Sequence, residues 1–93
     1  MWLETQVAKE FGFNNGYELH HDQINGYKKD ALAMVVYIYI NDYGYKSDYV
    51  SELVSLSPSL VKSLKAYAAK KIDNDEQYRQ IYERVTSEYR EHY

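Results

Sequence analysis

The chain of 93 residues carries 11 lysines and arginines, 14 aspartates and glutamates, and no cysteine. This length supports one domain, 1–93, and the absence of cysteine excludes a disulfide framework and a thiolate metal site. The formal net charge of −3 argues by itself against a nucleic-acid-binding protein.

The N-terminus lacks a basic segment followed by an apolar stretch, so no signal peptide is expected. The longest apolar run, 31–40, is too short to span a bilayer. We therefore expect a cytoplasmic protein that does not enter membranes.

A short amphipathic helix is predicted over about 3–11, with one face formed by Leu3, Val7, Ala8 and Phe11. Gly12 is a suitable residue to end it. Residues 14–16, Asn-Asn-Gly, indicate a turn, and the stretch from 17 to Gly26 has no clear period. Residues 1–26 are thus interpreted as an N-terminal helix and loop.

Two adjacent histidines, His20 and His21, invite the hypothesis of a metal site. Neighbouring side chains on a helix or strand point in different directions, so one such pair rarely binds one ion. His92 stands alone in the sequence, and the more plausible interpretation of the pair is a solvated loop. We expect no metal and no cofactor.

The apolar run that follows Asp30 fits either a strand or a helix. Its second half, 35–40, is β-branched and aromatic, which suits a strand. Continuity with 30–34 and the lack of a second strand to pair with favour a buried helix over about 30–43. Asp30 is a candidate N-cap, and Gly44 can take the left-handed conformation that ends a helix.

A pair of short helices is predicted next, over about 48–54 and 58–71, with Ser47 or Asp48 as the cap of the first. In the first helix of the pair, the spacing of three and four residues places Val50, Leu53 and Val54 on one face. A new apolar stripe then begins, and it contains Leu60, Val61 and Leu64.

The junction between these two helices resembles a helix-turn-helix. Ser57 can cap the second helix, and Pro58 suits its first position, where a missing N–H costs nothing. Ser51, Ser55 and Val61 lie where such motifs commonly carry a small residue, a turn residue and an apolar anchor. The turn residue is usually glycine, and here it is serine. A structural hairpin in a bundle that does not bind DNA is the alternative.

Positive charge is concentrated in the middle of the chain. Residues 27–71 sum to +3, whereas 1–26 and 72–93 each sum to −3. Residues 53–71 contain four lysines and no acid. The second helix of the pair is therefore the basic one, although lysines also decorate ordinary solvated faces.

The C-terminal segment, 74–93, predicts a last amphipathic helix over about 74–91. Asp73 and Glu76 resemble a capping box. The apolar stripe is formed by Tyr78, Ile81, Tyr82, Val85, Tyr89 and His92. This stripe can pack on the helix-turn-helix core, 30–71, or pair with another chain.

The sequence VVYIYINDYGYKSDYVSELVSLSPSLVKSL, residues 35–64, resembles the C-terminal DNA-binding domain of the bacterial replication initiator DnaA. Tyr37-Ile38 fall where that family has a Tyr-Leu pair, and Gly44-Tyr45 match the turn after its first long helix. Val50, Glu52 and Leu53 match its Ile-Gly-Glu-Leu segment, and Ser59 and Val61 match part of its DNA-reading motif. The Asp, His and Thr of that motif correspond to Ser57, Pro58 and Leu60.

The resemblance implies an all-α, DnaA-like or Trp-repressor-like fold of four to five helices. With no ATPase segment present, it points to a small stand-alone regulator of transcription, of the kind that phages and mobile elements carry. We expect a dimer on double-stranded DNA, because few cations would make a monomer bind weakly. The candidate DNA-binding residues are Lys28, Lys29, Lys46, Ser57, Ser59, Lys62, Ser63, Lys65 and Lys70.

The alternative function is an acidic module that binds or inhibits another protein, with the acidic helix 74–91 attracted to a basic groove. The net negative charge and the loss of the family's DNA-reading residues favour it. The sequence contains no nucleophile next to a base and no phosphate-binding glycine loop. We therefore expect no enzymatic activity.

Overall fold

Helices account for nearly all of the described chain. The structure is a computed structural model that describes residues 2–13 and 26–91. In these residues the order is α1 (Trp2–Glu10), α2 (Gly26–Tyr37), α3 (Ser47–Val54), α4 (Pro58–Asn74) and α5 (Glu76–Glu91). No strand occurs in either range. The predicted all-α fold of four to five helices is confirmed.

Helix α2 is the central element. Its residues from Ala31 to Val36 are completely buried, and it packs mainly against α4 and α1. Because neighbouring helices cover so many of its sides, tertiary burial overrides the strand preference of the β-branched residues. The choice of a helix for this run is confirmed.

Helix α2 begins at Gly26, earlier than the predicted start at 30. The proposed cap, Asp30, is therefore wrong, because this residue lies inside the helix. Its carboxylate instead accepts hydrogen bonds from Tyr67 and Lys71 of α4. Lys28 and Lys29 consequently belong to the first turns of α2 and do not precede it.

A π-helical turn, Ile38–Asp42, follows directly on α2. Its signature is the N–H of Tyr43, which donates to the carbonyl oxygen of Ile38, five residues back, at 3.0 Å. Gly44 then has φ of +77°, in the left-handed region that the sequence predicted for it. The helical stretch thus ends close to the predicted boundary, but its last turn is wider than an α-helix.

The turn between α3 and α4 depends on a serine in the left-handed conformation. Ser55 has φ 56° and ψ 44°. The hydroxyl of Ser57 accepts a hydrogen bond from the N–H of Leu60 at 3.2 Å, and Pro58 is the first residue of α4. The predicted cap and the predicted proline position are both confirmed.

Two other predicted caps are wrong. Lys46, whose side chain makes no capping hydrogen bond, is the N-cap of α3, in place of Ser47 or Asp48. Helix α4 runs to Asn74, past the predicted end at 71, and Asp75 caps α5 by accepting from the N–H of Tyr78. The capping box predicted at Asp73 and Glu76 is therefore wrong, because the cap lies two residues later and Tyr78 stands where a capping box has Glu or Gln.

The core joins all five helices. Val50 and Val54 of α3 are completely buried, but Leu53, which the spacing placed on the same face, is 39% exposed. Ser51 is buried in its stead. The apolar residues of α1, α4 and α5 that form the core or pack against it are Leu3, Val7, Ala8, Leu60, Val61, Leu64, Tyr67, Ala68, Ile72, Tyr78, Ile81, Tyr82 and Val85, and Phe11 packs there just after α1.

Several predictions fall outside the described residues: the turn at 14–16, the loop at 17–25, the histidines His20 and His21, and His92. The side chain of Tyr89 is likewise outside them. Among the helices that are described, none has the length and apolar character needed to cross a membrane.

Candidate nucleic-acid interface

Helix α4 turns one polar face outward. Val61, Leu64 and Ala68 form its buried side. Exposed positions recur at spacings of three and four on the opposite side, which is the pattern of a single helical face. These exposed residues are Ser59, Lys62, Ser63, Ala66 and Lys70. The predicted base-facing residues, Ser59, Lys62 and Ser63, therefore share a solvent-exposed surface.

A basic groove borders this face on the side of α3. Its apolar lining residues, called its floor below, are Ile40, Ala66 and Ala69. Its volume is about 770 Å³. The other residues that line it are Tyr45, Lys46, Ser47, Asp48, Lys62 and Lys65. The fold thus brings Lys46, from the loop before α3, together with two lysines of α4.

The lysines of the basic groove are available to a ligand. Lys46, Lys62 and Lys65 are exposed, and none forms an ion pair within the described part of the chain. Asp48 is the acidic residue among those that line the groove. The side chains at this border therefore carry a formal excess of positive charge.

The opposite border of the outward face carries lysine as well. Tyr67 follows Ser63 by four residues and precedes Lys70 by three, so these three residues lie along one side of α4. The amino group of Lys29 lies 4.4 Å from the centre of the Tyr67 ring, a cation–π contact. Lys29 and Lys70 therefore stand across the outward face from the basic groove.

The predicted residues do not form one continuous patch. Lys28 and Lys29 are half-buried on α2, and Lys28 also has an interaction partner. Ser57 is exposed, but its hydroxyl is engaged as the cap of α4. The structure places Lys46, Lys62 and Lys65 together, and places Lys29 and Lys70 on the other border.

One lysine of α4 has a structural partner. The amino group of Lys71 lies 3.0 Å from Oδ2 of Asp30. Burial alone would lower the pKa of Lys71, but the hydrogen bond and the attraction of Asp30 outweigh it and raise that pKa. The hydrogen bond that Tyr67 donates to Asp30, together with burial, raises the pKa of Tyr67. This cluster fixes α4 against the first turns of α2.

Sequence reasoning missed the exposed pair Tyr45 and Tyr49, of which Tyr45 lines the groove. Tyr45 is 37% exposed and Tyr49 is 50% exposed, and their ring centres lie 5.1 Å apart. Tyr49 and Leu53 are spaced by four residues on α3, outside its buried stripe. That spacing was the available signal, but it becomes informative only once the buried side of α3 is known.

The exposed tyrosines continue inward to a buried contact with α1. The ring of Tyr45 stacks on Tyr39, and Tyr43 contacts both rings edge-on. The hydroxyl of Tyr39 donates to Oε1 of Glu4 at 2.6 Å. Burial, and then the hydrogen bond to Glu4, raises the pKa of Tyr39. The aromatic wall of the groove is therefore anchored in the core.

A second cavity, of about 440 Å³, lies where α1 ends near the junction of α4 and α5. Its charged groups are already engaged with one another: Asp30 binds Lys71, and Glu10 binds Arg84 at 2.8 Å. Asp75 caps α5. The described residues contain no group of three or more potential ligands placed to hold a metal ion.

Comparison of the chain with protein-family models, with curated proteins and with solved structures found no match. The resemblance of residues 35–64 to the DnaA DNA-binding domain therefore stays a prediction.

Proposed function

We propose that this protein binds double-stranded DNA, with α4 as the recognition helix of a helix-turn-helix formed with α3. The observation that carries the proposal is the outward face of α4. No described element covers it, and lysines stand along both of its borders. An α-helix fits the major groove of DNA, where the flanking phosphates meet cations on both sides of the helix.

Each residue then has a distinct role. Ser59, Lys62 and Ser63 face base edges from the first turns of α4. Ser57 positions that end of the helix through its cap and lies beside the DNA backbone. The phosphates are neutralised by Lys46 and Lys65 on one border, and by Lys29 and Lys70 on the other.

A dimer on a two-fold DNA site is part of the proposal. The net charge of −3 and the small number of cations leave one copy with weak attraction to DNA. Two linked copies gain affinity because the second contact becomes intramolecular. A small regulator of transcription, of the phage or mobile-element type, is the role that this arrangement suits best. The proposal assigns binding and no catalysis.

The test is fluorescence anisotropy with labelled genomic and random duplex fragments at low salt. The variant Lys62→Glu/Lys65→Glu should lose measurable binding. Lys9→Glu/Arg79→Glu is the matched control, because it changes the net charge equally at exposed positions of α1 and α5. Equal affinity of the wild type and the Lys62→Glu/Lys65→Glu variant would reject α4 as the DNA-binding face.

A second candidate function is a protein-binding module, and the outward side of α3 favours it. Tyr49 and Leu53 are exposed there, next to the exposed acids Asp48 and Glu52. Exposed aromatic side chains are enriched at protein interfaces. A basic surface on a nucleic-acid enzyme is the partner that the acids favour. The absence of any duplex binding at micromolar protein and low salt would favour this function over the first.

A further inference from the structure

The basic groove has features that binding of a duplex by α4 does not require. An α-helix in the major groove presents its outward face, whereas this groove shares only Lys62 and Ala66 with that face and extends away from it to Ile40 and Tyr45. Ile40, Ala66 and Ala69 form the floor, and the ring of Tyr45 stands at one side. The volume of about 770 Å³ falls within the range of roughly 300–1,000 Å³ that is typical of small-molecule sites.

Tyr45 is held in place before any ligand arrives. Its ring centre lies 5.6 Å from that of Tyr39, with 23° between the ring planes. Its backbone N–H donates to the carbonyl oxygen of Tyr39 at 3.0 Å. Tyr39 is in turn fixed by its hydrogen bond to the buried Glu4. A ring that is already ordered loses little conformational entropy when a flat ligand packs against it.

The charge around the groove selects for anions. Lys46, Lys62 and Lys65 line it together with one acid, Asp48. An apolar floor beside an aromatic ring suits a flat, weakly polar group, and the ammonium groups suit a phosphate. A nucleotide contains both parts, the base and the phosphate, within one unit. Proteins that hold single strands combine the same two features, aromatic rings for the bases and cations for the backbone.

We propose that the basic groove binds a nucleotide unit of an unpaired nucleic-acid strand. The base lies against Tyr45 and the alanine floor, and the phosphates lie near Lys46, Lys62 and Lys65. This inference rests on the proposed function to the extent that both use Lys62 and Lys65. It adds a second binding mode, in which a strand that leaves the duplex beside α4 is held by the same protein.

The test measures the anisotropy of a short fluorescein-labelled oligothymidine at low salt. The wild type should bind it, and Tyr45→Ala should bind about tenfold more weakly, since the variant loses the ring on which the base stacks. Tyr45→Phe keeps the ring and should stay within about twofold of the wild type. Far-ultraviolet circular dichroism reports whether each variant is folded.

A second variant avoids disturbing the aromatic contacts. Ala69→Glu introduces a good helix-forming residue whose carboxylate enters the groove, and it should also weaken binding of the oligothymidine. Gln80→Glu is the matched control, because it adds the same negative charge at an exposed position of α5 outside the groove, and it should leave oligothymidine binding unchanged. If Tyr45→Ala and Ala69→Glu both bind like the wild type, the groove is not the site.

Measuring the binding of duplex and of oligothymidine by the same protein distinguishes the two proposals. Binding of duplex but not of oligothymidine by the wild type would overturn the groove proposal and leave the proposed function standing. Binding of oligothymidine that depends on Tyr45, without any duplex binding, would support the groove and overturn the function. Competition by thymidine monophosphate would identify a free nucleotide as a sufficient ligand, and its absence would identify a strand as the occupant.

Discussion

The hydroxyl of Ser51 donates a hydrogen bond to the carbonyl oxygen of Leu56, and so joins the middle of α3 to the chain beyond the turn. The N–H of Leu56 donates back to the carbonyl oxygen of Ser51 at 3.1 Å. This reciprocal pair closes the end of α3 around Ser55, which lies between the two residues. The direction in which α4 leaves the turn is therefore set by three local residues.

Ser55→Gly should stabilise the protein by about 0.5 kcal/mol. Glycine removes a strain of roughly 1–2 kcal/mol that other residues carry in the left-handed conformation. It also increases the entropy of the unfolded chain, which opposes this gain by roughly 0.4–1 kcal/mol. The φ of 56° at Ser55 makes the first effect the larger one. Urea denaturation gives the difference in the free energy of unfolding. Ser55→Val should instead destabilise, because a β-branched residue fits that conformation poorly.

Ser57→Ala should lower the free energy of unfolding by about 1 kcal/mol, the usual cost of losing an N-cap. Its hydroxyl is the acceptor for the N–H of Leu60. Ser57→Thr keeps that acceptor, so its free energy of unfolding should fall much less. Comparing the urea midpoints of the two variants tests the capping role without reference to DNA. Equal losses in both would mean that the hydroxyl is not what stabilises the start of α4.

Several features that the sequence predicted correctly are determined by neighbouring residues. Local chemistry was not always sufficient, because the caps predicted at Asp30 and Asp73 were wrong. The cap at Ser57 and the first-turn proline follow from local backbone chemistry, and so does the left-handed Gly44. Features that depend on which helix covers which surface were missed. Leu53 has the spacing of a core residue, yet nothing in the described chain fully covers it.

In the candidate site, too, features within one helix were predicted from the sequence, whereas features that join two elements were not. Exposure of Ser59, Lys62 and Ser63 followed from the helical period of α4 alone. The meeting of Lys46 and Tyr45 with Lys62 required the tertiary arrangement of α3 and α4. No periodicity within one helix contains that information, so the groove was not foreseen.

Asp30→Ala should destabilise the protein by roughly 2–3 kcal/mol, since hydrogen bonds to charged groups contribute roughly 1.5–3 kcal/mol. The carboxylate of Asp30 is the acceptor for both Tyr67 and Lys71, and in the variant they keep only the hydrogen bond that Lys71 donates to the Tyr67 hydroxyl at 3.4 Å. The double variant Asp30→Ala/Lys71→Met should recover part of this loss, because it removes the unpaired ammonium group. Urea denaturation of the two variants at neutral pH gives the comparison. A double variant less stable than Asp30→Ala would show that Lys71 does not depend on this carboxylate.

Lys46→Ala should weaken duplex binding and reduce the slope of log affinity against log salt concentration by about 0.9, the value for one phosphate contact. Lys46 is exposed in the groove and has no ion-pair partner in the described chain. Ser59→Ala should leave the slope unchanged and alter the preference among duplex sequences, because a serine that faces base edges carries no charge. Anisotropy titrations across a range of salt give both quantities. An unchanged slope for Lys46→Ala would place Lys46 outside the contact with DNA.

Stability should fall as the pH rises above 10. The pKa values of Tyr39 and Tyr78 are raised above the ordinary 10.0, chiefly by burial. The unfolded tyrosines lose their protons near pH 10, whereas the folded ones keep theirs, so the unfolded state binds fewer protons there. The stabilisation that these two buried tyrosines provide is therefore fully present below their ordinary pKa of 10.0, and it is lost as the pH rises through their raised pKa values.

The pKa of Lys71 is also raised, from its ordinary 10.5. The unfolded state therefore again binds fewer protons above that pH, and stability falls as the pH rises. Each fully shifted, buried tyrosine should lower the free energy of unfolding by about 1.4 kcal/mol per pH unit in this range. Urea midpoints measured against pH, together with the ultraviolet absorbance of phenolate, test this. Tyr39→Phe removes one ionising group and should make the decline shallower by that amount. Phenolate formation at Tyr39 or Tyr78 near pH 10 in the folded protein, with no loss of stability, would contradict the burial of these rings.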